Sequence, residues 1–594
     1  MKAESIGSLA SYESINTGWS IQGFSRCTTT CSSIRARRCI ANSVWRSLSV
    51  VAALLSLAVI GVCDQSLAES PLQPKVTAPF TELDTLCVND WWNRPASRIV
   101  ETRVPRDEVI AFGIYTVSSG QLKLSAQLFP LYPDESRTVR LEIKHDESWS
   151  EVARATVNDL GWSALFRVPN WDTTTDIPYR IRHGVKAVYE GLIRKDPVNK
   201  REIVVAALSC NSSNDRGLRP NYVRNINHQN PDLVFFAGDQ SYDHRQHTAA
   251  WLKFGLQFRD VFRDRPCVTI PDDHDIGQPN LWGEGGKLAT RKDSSDGGYN
   301  FHPEYVRMVD RCQTAHLPDP YDPTPIDRGI GVYYTSLLLG GVDFAIIEDR
   351  KFKSGPAGKI PQQGPRPDHV TKPDYDPKAL DQPGLILLGE RQLEFLEQWA
   401  RDPSQVAFKV LLSQTSFCGG PHLHGPNQER LYADLDSNGW PQSGRDQAVR
   451  LLREAGAVHL AGDQHIAMLI EYGVDRYRDA GWSFAVPAIV NSIYSRWWRP
   501  LGDAPGANRD PDEVLPWTGD YLDGFGNKIT MHAYANPETS SQGAGYGLIR
   551  FDKPTSQVTF ECWPRDADVT QSDAKQFPGW PRTATILRSR AAKN

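Results

Sequence analysis

Four short stretches set the limits on what this chain can fold into. Each is an apolar run of strand length that breaks off into Cys, Asp, His, Tyr or Asn. They are VVAALSCNSS at 204–213, LVFFAGDQSYDH at 233–244, TIPDDHDIGQPNLWG at 269–283 and VHLAGDQHIAM at 458–468. Unbroken apolar runs of this kind mark strands buried on both faces. In open α/β sheets ligands gather beyond the carboxyl ends of such strands. The pattern therefore predicts that Cys210, Asp239, Tyr242, Asp273, Asp463 and His465 meet at one place. That is a metal-ligand inventory, and one for two ions.

The individual signals differ in weight. Gly238-Asp239 and Gly462-Asp463 each put a glycine where the backbone must turn tightly at a strand end. One such pair is common in turns. Together, with Tyr242 three residues after the first Asp and His465 two after the second, they are harder to dismiss. Asp272, Asp273 and Asp275 repel one another unless a cation or a histidine sits among them, and His274 lies between. Thiolate, phenolate and imidazole suit iron or zinc, whereas carboxylate and amide oxygens suit Ca²⁺, Mg²⁺ or Mn²⁺. The mixed set argues for two unlike ions bridged by one Asp. Two metals ~4 Å apart form a clamp for in-line phosphoryl displacement, so the positions are consistent with phosphoester hydrolysis.

Residues 1–75 read as an export signal and extension rather than as fold. Arg35, Arg37, Arg38 and Arg46 precede an apolar segment from Leu48 to Val62, and Ser66-Leu67-Ala68 follows as a small-residue cleavage site. The segment is shorter than the ~20 residues of a spanning helix. Arg37-Arg38 permits the twin-arginine route, so the expected location is the periplasm or outside the cell, with membrane attachment only if the segment stays uncleaved. The net charge of −5 and the absence of a long basic run speak against a nucleic-acid partner. Beyond the signal stand Cys87, Cys210, Cys267, Cys312, Cys418 and Cys562, without a CxxC pair. Cys210 must be free if it binds metal.

The fold class expected is α/β, an N-terminal β-sandwich over 78–200 followed by a four-layer αββα catalytic domain over 201–565, with a tail at 566–594. In the first part, segments such as VRLEIKHD alternate as half-buried antiparallel strands do. After Arg201, buried strands alternate with helices such as ERQLEFLEQWARD at 390–402 and GRDQAVRLLREAG at 444–456. Two long inserts, 353–378 and 418–441, belong over the strand ends, since loops of that length are uncommon unless they build or cover a site.

The ordered set of LSC (208–210), GDQSY (238–242), DDHD (272–275), NLWG (280–283), IIEDRKF (346–352), LGERQLEFLEQW (388–399) and GDQH (462–465) resembles the calcineurin-like metallophosphoesterase superfamily, specifically its PhoD-type alkaline phosphatases. The resemblance runs over roughly 85–565 and implies Fe³⁺ with Ca²⁺ as cofactors. Carried over by position, Cys210, Tyr242 and His465 would hold iron, Asp239 would bridge, and Asp273 and Asp463 would hold calcium with Asn280 as a further ligand. His274 stands where that superfamily has a histidine that protonates the leaving group or contacts phosphate, a role imidazole suits by its intrinsic pKa. Departures are Asp243 in place of Glu, DDHD in place of DDHE, and a longer spacing to NLWG. His244 and His247 read as loop residues rather than ligands, Arg350 as a structural ion pair near Asp349 or else a phosphate donor, and the HLH at 422–424 as a phosphate contact or part of a lid.

The reading implied is an exported, metal-dependent phosphohydrolase using a metal-bridging hydroxide on phosphomonoesters, phosphodiesters or both. The substrate would be a small-molecule phosphoester or a lipid or nucleotide diester. Its alternatives are a phosphodiesterase or phospholipase-type enzyme on the same site, and a non-catalytic exported binding protein.

Overall fold

The structure, a computed structural model, describes residues 80–586 apart from 81, 89 and 492–494; the expected export signal lies outside the described residues. The first region is a sandwich of two antiparallel sheets. One has three strands in the order Ile110–Ser118, Gln121–Leu128, Ser163–Val168. The other has four, in the order Ser148–Thr156, Thr138–His145, Ile177–His183, Ala187–Ile193. In Ile177–His183 every second side chain is buried, the period-two pattern of a sheet with one face in the core.

The sandwich shares its core with the next region. Phe112 packs against Trp251 and Phe262 of the helix His247–Phe262. The fit depends on Gly255, where a Cβ would come within 1.8 Å of the Phe112 ring. Each buried ring at this junction stabilises by on the order of 1.5–3 kcal/mol.

From Glu202 onward two sheets stack face to face. The first runs Cys267–Thr269, Leu233–Phe236, Glu202–Asn211, Gly545–Asp552, Gln557–Pro564, Arg582–Thr585, its first three strands parallel and the rest antiparallel. Its last strand falls within the stretch expected to be a tail. The second has eight strands, and Val342–Ile346, Phe408–Thr415, Val458–Gly462 and Trp482–Ala485 form its parallel centre. Val205, Phe235, Phe344, Leu411, Leu460 and Phe560 fill the space between the sheets. Helices Pro220–Gln229 and His247–Phe262 cover the first sheet, the latter through Phe254, Phe258 and Phe262 around Phe236. Helices Glu390–Arg401 and Gln442–Ala455 cover the second. These are the four layers αββα.

A single segment stitches the sheets. The apolar run that begins at Phe484 is divided by Pro487. Trp482–Ala485 pairs with Val458–Gly462 in the second sheet, and Ala488–Val490 pairs with Glu202–Asn211 in the first. The carboxyl ends of both sets of parallel strands thereby converge.

The two long inserts form a wall rather than a loose cover. His369–Val370 pairs with Ala433–Asp434, setting His369 opposite Asp434. His422–His424 lies between Glu429–Leu431 and Arg496–Trp498. Beneath them Trp282, Val370, Leu380, Leu435, Trp440 and Phe525 make a small apolar core of their own.

Candidate metal centre

Four of the chemistry-bearing side chains stand at the ends of parallel strands on backbone kinks. Cys210, Asp239, Asp463 and His465 all take left-handed φ values, 57°, 57°, 60° and 51°. Such conformations cost energy for non-glycine residues and persist where a site requires them. Gly238 (φ +104°) precedes Asp239 with no room for a side chain, since a Cβ there would lie 2.5 Å from Asp272 Cβ.

The kinks bring together what the sequence placed apart. Ligand atoms of Cys210, Asp239 and His465 lie within 4.8 Å of one another, and so do those of Asp239, Asp272, Asp273 and Asp463. Asp239 belongs to both groups. Tyr242 joins the first, its hydroxyl 2.9 Å from His465 Nε2. Cys210 Sγ is 3.9 Å from Asp239 Oδ2 and 3.5 Å from the Asp463 carbonyl oxygen. Asp239, Tyr242, Asp273, His274, Asn280, Asp463 and His465 line a cleft of about 130 Å³. Asn280 thus reaches the cleft wall.

The donor set fits metal ions on chemical grounds. Burial, then neighbouring Asp275 and Asp463, push the Asp239 carboxyl well above the usual range. Burial and then Asp239 do the same to Asp273. Burial, Asp239 and Asp463 raise the Cys210 thiol, and burial with Asp239 raises the Tyr242 phenol. Burial and then Arg496 lower His465 to about 4, leaving its imidazole neutral. Crowded acceptors that are costly to ionise, beside a neutral imidazole, are what a bound cation would turn into good ligands.

Asp275 organises the loops behind. Its carboxylate accepts from the backbone N–H of Asp239 (2.8 Å), Gln240 (3.0 Å) and Asp272 (3.0 Å). This clamp ties the loop after Leu233–Phe236 to the one after Cys267–Thr269. Asp272 in turn caps the short helix Asp273–Ile276.

The structure adds to the readings of Arg350, His244, His247 and the HLH segment. Arg350 pairs with Asp349 at 3.9 Å. Its buried guanidinium binds Asp272 at 2.7 Å, Asp436 at 2.5 Å and Asp463 at 3.1 Å, placing a fixed positive charge beside the carboxylate cluster. His244 is more than a loop residue: its Nε2 lies 2.6 Å from His274 Nδ1, the two rings stacked with centroids 4.8 Å apart. Of the HLH histidines, His424 lines the cleft, while His422 is buried and bonds the Gly420 carbonyl oxygen. His247 lies in a helix behind the site.

Other residues of the cleft carried no sequence signal. Arg366, Asp368, His369, Asp434, Asp436 and Arg496 form its outer wall. Arg366 and Asp368 pair at 2.7 Å, and Arg496 Nη1 approaches Asp434 Oδ2 at 3.0 Å. The nearest signal was the length of the two inserts. All six described cysteines are free and buried, Cys210 among them.

The comparisons agree with this geometry. Residues 252–500 match the family of PhoD-like phosphatases. A solved structure of PhoD matches over 81% of this chain and 91% of its own, with a TM-score of 0.56 at 14% identity, a likeness of fold. A purple acid phosphatase from yellow lupin (Lupinus luteus) seeds aligns over 80% of this chain and 74% of its own, with a TM-score of 0.49 at 13% identity. No curated protein matches by sequence. Cys210, Asp239 and Tyr242 precede the matched stretch and meet it only through the fold. The chain thus carries a PhoD-like phosphatase domain at 252–500 and is a hydrolase of phosphoester bonds.

Proposed function

We propose that the protein is an exported phosphohydrolase of phosphomonoesters, phosphodiesters or both, with Fe³⁺ and Ca²⁺ as its ions. The observation that carries the reading is that Asp239 belongs to two dissimilar ligand groups at once. Cys210, Tyr242 and His465 would hold the iron; Asp273 and Asp463, with Asn280 at the cleft wall, would hold the calcium. When bound, the pair would polarise the phosphoryl oxygens and lower the pKa of an attacking water.

The chain's own groups supply the rest. His274 lines the cleft with Nδ1 engaged by His244, leaving Nε2 for the phosphate or the departing oxygen. Arg350 holds Asp463 and, through Asp436, the wall insert. No side chain is needed as a covalent nucleophile.

The test is a purified mature chain assayed for metal content and for hydrolysis of mono- and diester chromogenic substrates. Asp239→Asn should abolish turnover and reduce both metals. Full activity in that variant, or a wild-type chain that binds neither ion, defeats the proposal. Sequencing the N-terminus of the protein recovered outside the cytoplasm tests export separately.

A further inference from the structure

A second and much smaller cavity of about 10 Å³ shares His274 with the cleft. Its lining includes Gln240, His247, Trp251, Asp275 and Gln313. Four polar atoms of these lining residues, Gln240 Oε1, His247 Nδ1, Trp251 Nε1 and Gln313 Oε1, have no hydrogen-bond partner among the protein's groups. All four residues are at most 3% exposed. Buried polar atoms without partners are rare singly, and four around one hole need a common explanation.

Their hydrogen-bonding character narrows the occupant. The amide nitrogen of Gln240 donates to the Ile270 carbonyl oxygen at 3.0 Å, so its Oε1 is the acceptor that remains. Gln313 Nε2 lies 3.3 Å from His247 Nε2. An amide nitrogen only donates, so His247 Nε2 accepts and, in the neutral ring, Nδ1 carries the hydrogen. Burial holds that ring neutral, its pKa lowered to about 3. Indole nitrogen is a donor only. The cavity therefore presents two donors, Trp251 Nε1–H and His247 Nδ1–H, and two acceptors, Gln240 Oε1 and Gln313 Oε1.

Asp275, which also lines the cavity, already accepts from three backbone N–H groups, so the two open N–H groups disfavour a cation and the two amide oxygens an anion. Only a small amphoteric molecule satisfies all four, and the space is that of a single water-sized sphere. We propose that this cavity is a binding site for one structural water, which accepts from Trp251 and His247 and donates to Gln240 and Gln313.

The site has a purpose in the enzyme. Gln240 follows Asp239 directly, and Asp275 clamps the amides of both. His247 and Trp251 stand one turn apart on the helix His247–Phe262, their rings stacked 6.4 Å apart, and Gln313 comes from the helix Pro303–Thr314. The water would join both helices to the loop that holds the shared carboxylate, which makes its neighbours positioning residues for Asp239.

The test is a crystal structure of the metal-loaded enzyme at a resolution that shows ordered solvent, with Trp251→Phe in parallel. A single peak without anomalous signal, about 2.7–3.2 Å from all four atoms, is the expected result. Trp251→Phe keeps the ring volume and removes one donor, so the peak should weaken. Metal retained through dialysis should fall a few-fold while the circular dichroism is unchanged, a readout that a purely structural ring would not move. A dry cavity, an anomalous peak at metal-ligand distance, or a Trp251→Phe protein with wild-type peak and metal retention would each overturn the inference.

Discussion

His244 Nε2 sits 2.6 Å from His274 Nδ1, so one imidazole must donate to the other and the proton on the outward nitrogen of His274 is fixed by its neighbour. If His274 serves the leaving group, the work of His244 should grow with the difficulty of departure. His244→Ala should lower turnover of alkyl phosphates by ~10²-fold or more and that of nitrophenyl esters far less. His244→Asn, which can still donate, should recover part of the loss. The decisive measurement is kcat across a series of leaving-group pKa values, and a uniform drop would show that the pair has only a structural role.

The two ligand groups should separate under mutation. Cys210→Ser replaces a thiol with a weaker, harder ligand in the group of Asp239 and His465. Iron content should fall steeply, and with it the visible charge-transfer band expected of ferric ion bound by cysteine or tyrosine, while calcium is largely kept. Asp273→Asn should show the reverse. Elemental analysis and absorbance of both variants check this; equal loss of both metals from each would contradict separate sites.

Arg350 is buried among Asp272, Asp436 and Asp463. Removing one partner from such a cluster leaves uncompensated buried charge, a cost of roughly 3–5 kcal/mol. Arg350→Met should therefore lower the Tm strongly in metal-free protein. Added cations should recover part of the deficit, because they supply positive charge to the same carboxylates. Thermal denaturation with and without metal measures both effects, and an equal deficit in the two conditions would separate Arg350 from the metal centre.

Acid should weaken the fold through its buried histidines. His247, His316 and His459 are each lowered to about 3 by burial, which disfavours the charged ring. The unfolded chain protonates near 6.5 while the folded one stays neutral, so the unfolded state binds more protons across that window. The stability these groups contribute is present above about pH 6.5 and falls as the pH drops toward 3, by about 1.4 kcal/mol per pH unit for each histidine. His459, bonded to Ser413 and Tyr472, lies away from the cleft. His459→Gln should flatten the fall in stability between pH 6 and pH 4.5, measured by urea denaturation; an unchanged slope would contradict the assignment.

Much of the centre was legible in the sequence because it is written locally. An apolar run declares a buried strand, and the residue types that break it declare what stands at its end. Cys210, Asp239, Tyr242, Asp273, Asp463 and His465 could be named on that basis, as could the sandwich and the layered catalytic region. Local reasoning failed where partners come from far away. Arg350 reads as a neighbour of Asp349, yet its guanidinium meets Asp272 and Asp436, 78 and 86 residues distant. His244 reads as a loop residue because nothing in its own stretch announces the stacked ring of His274.

The sequence by itself determined the strand ends, the ligand types and their order along the chain, since these depend on apolar periodicity and side-chain chemistry alone. The tertiary structure alone decided that Asp239 lies in both ligand groups, that Asp275 clamps two loops, and that the inserts bring Arg366, His369 and Asp434 over the cleft beside Arg496. Those are matters of distance between segments far apart in the chain, and only the stacking of the two sheets sets them.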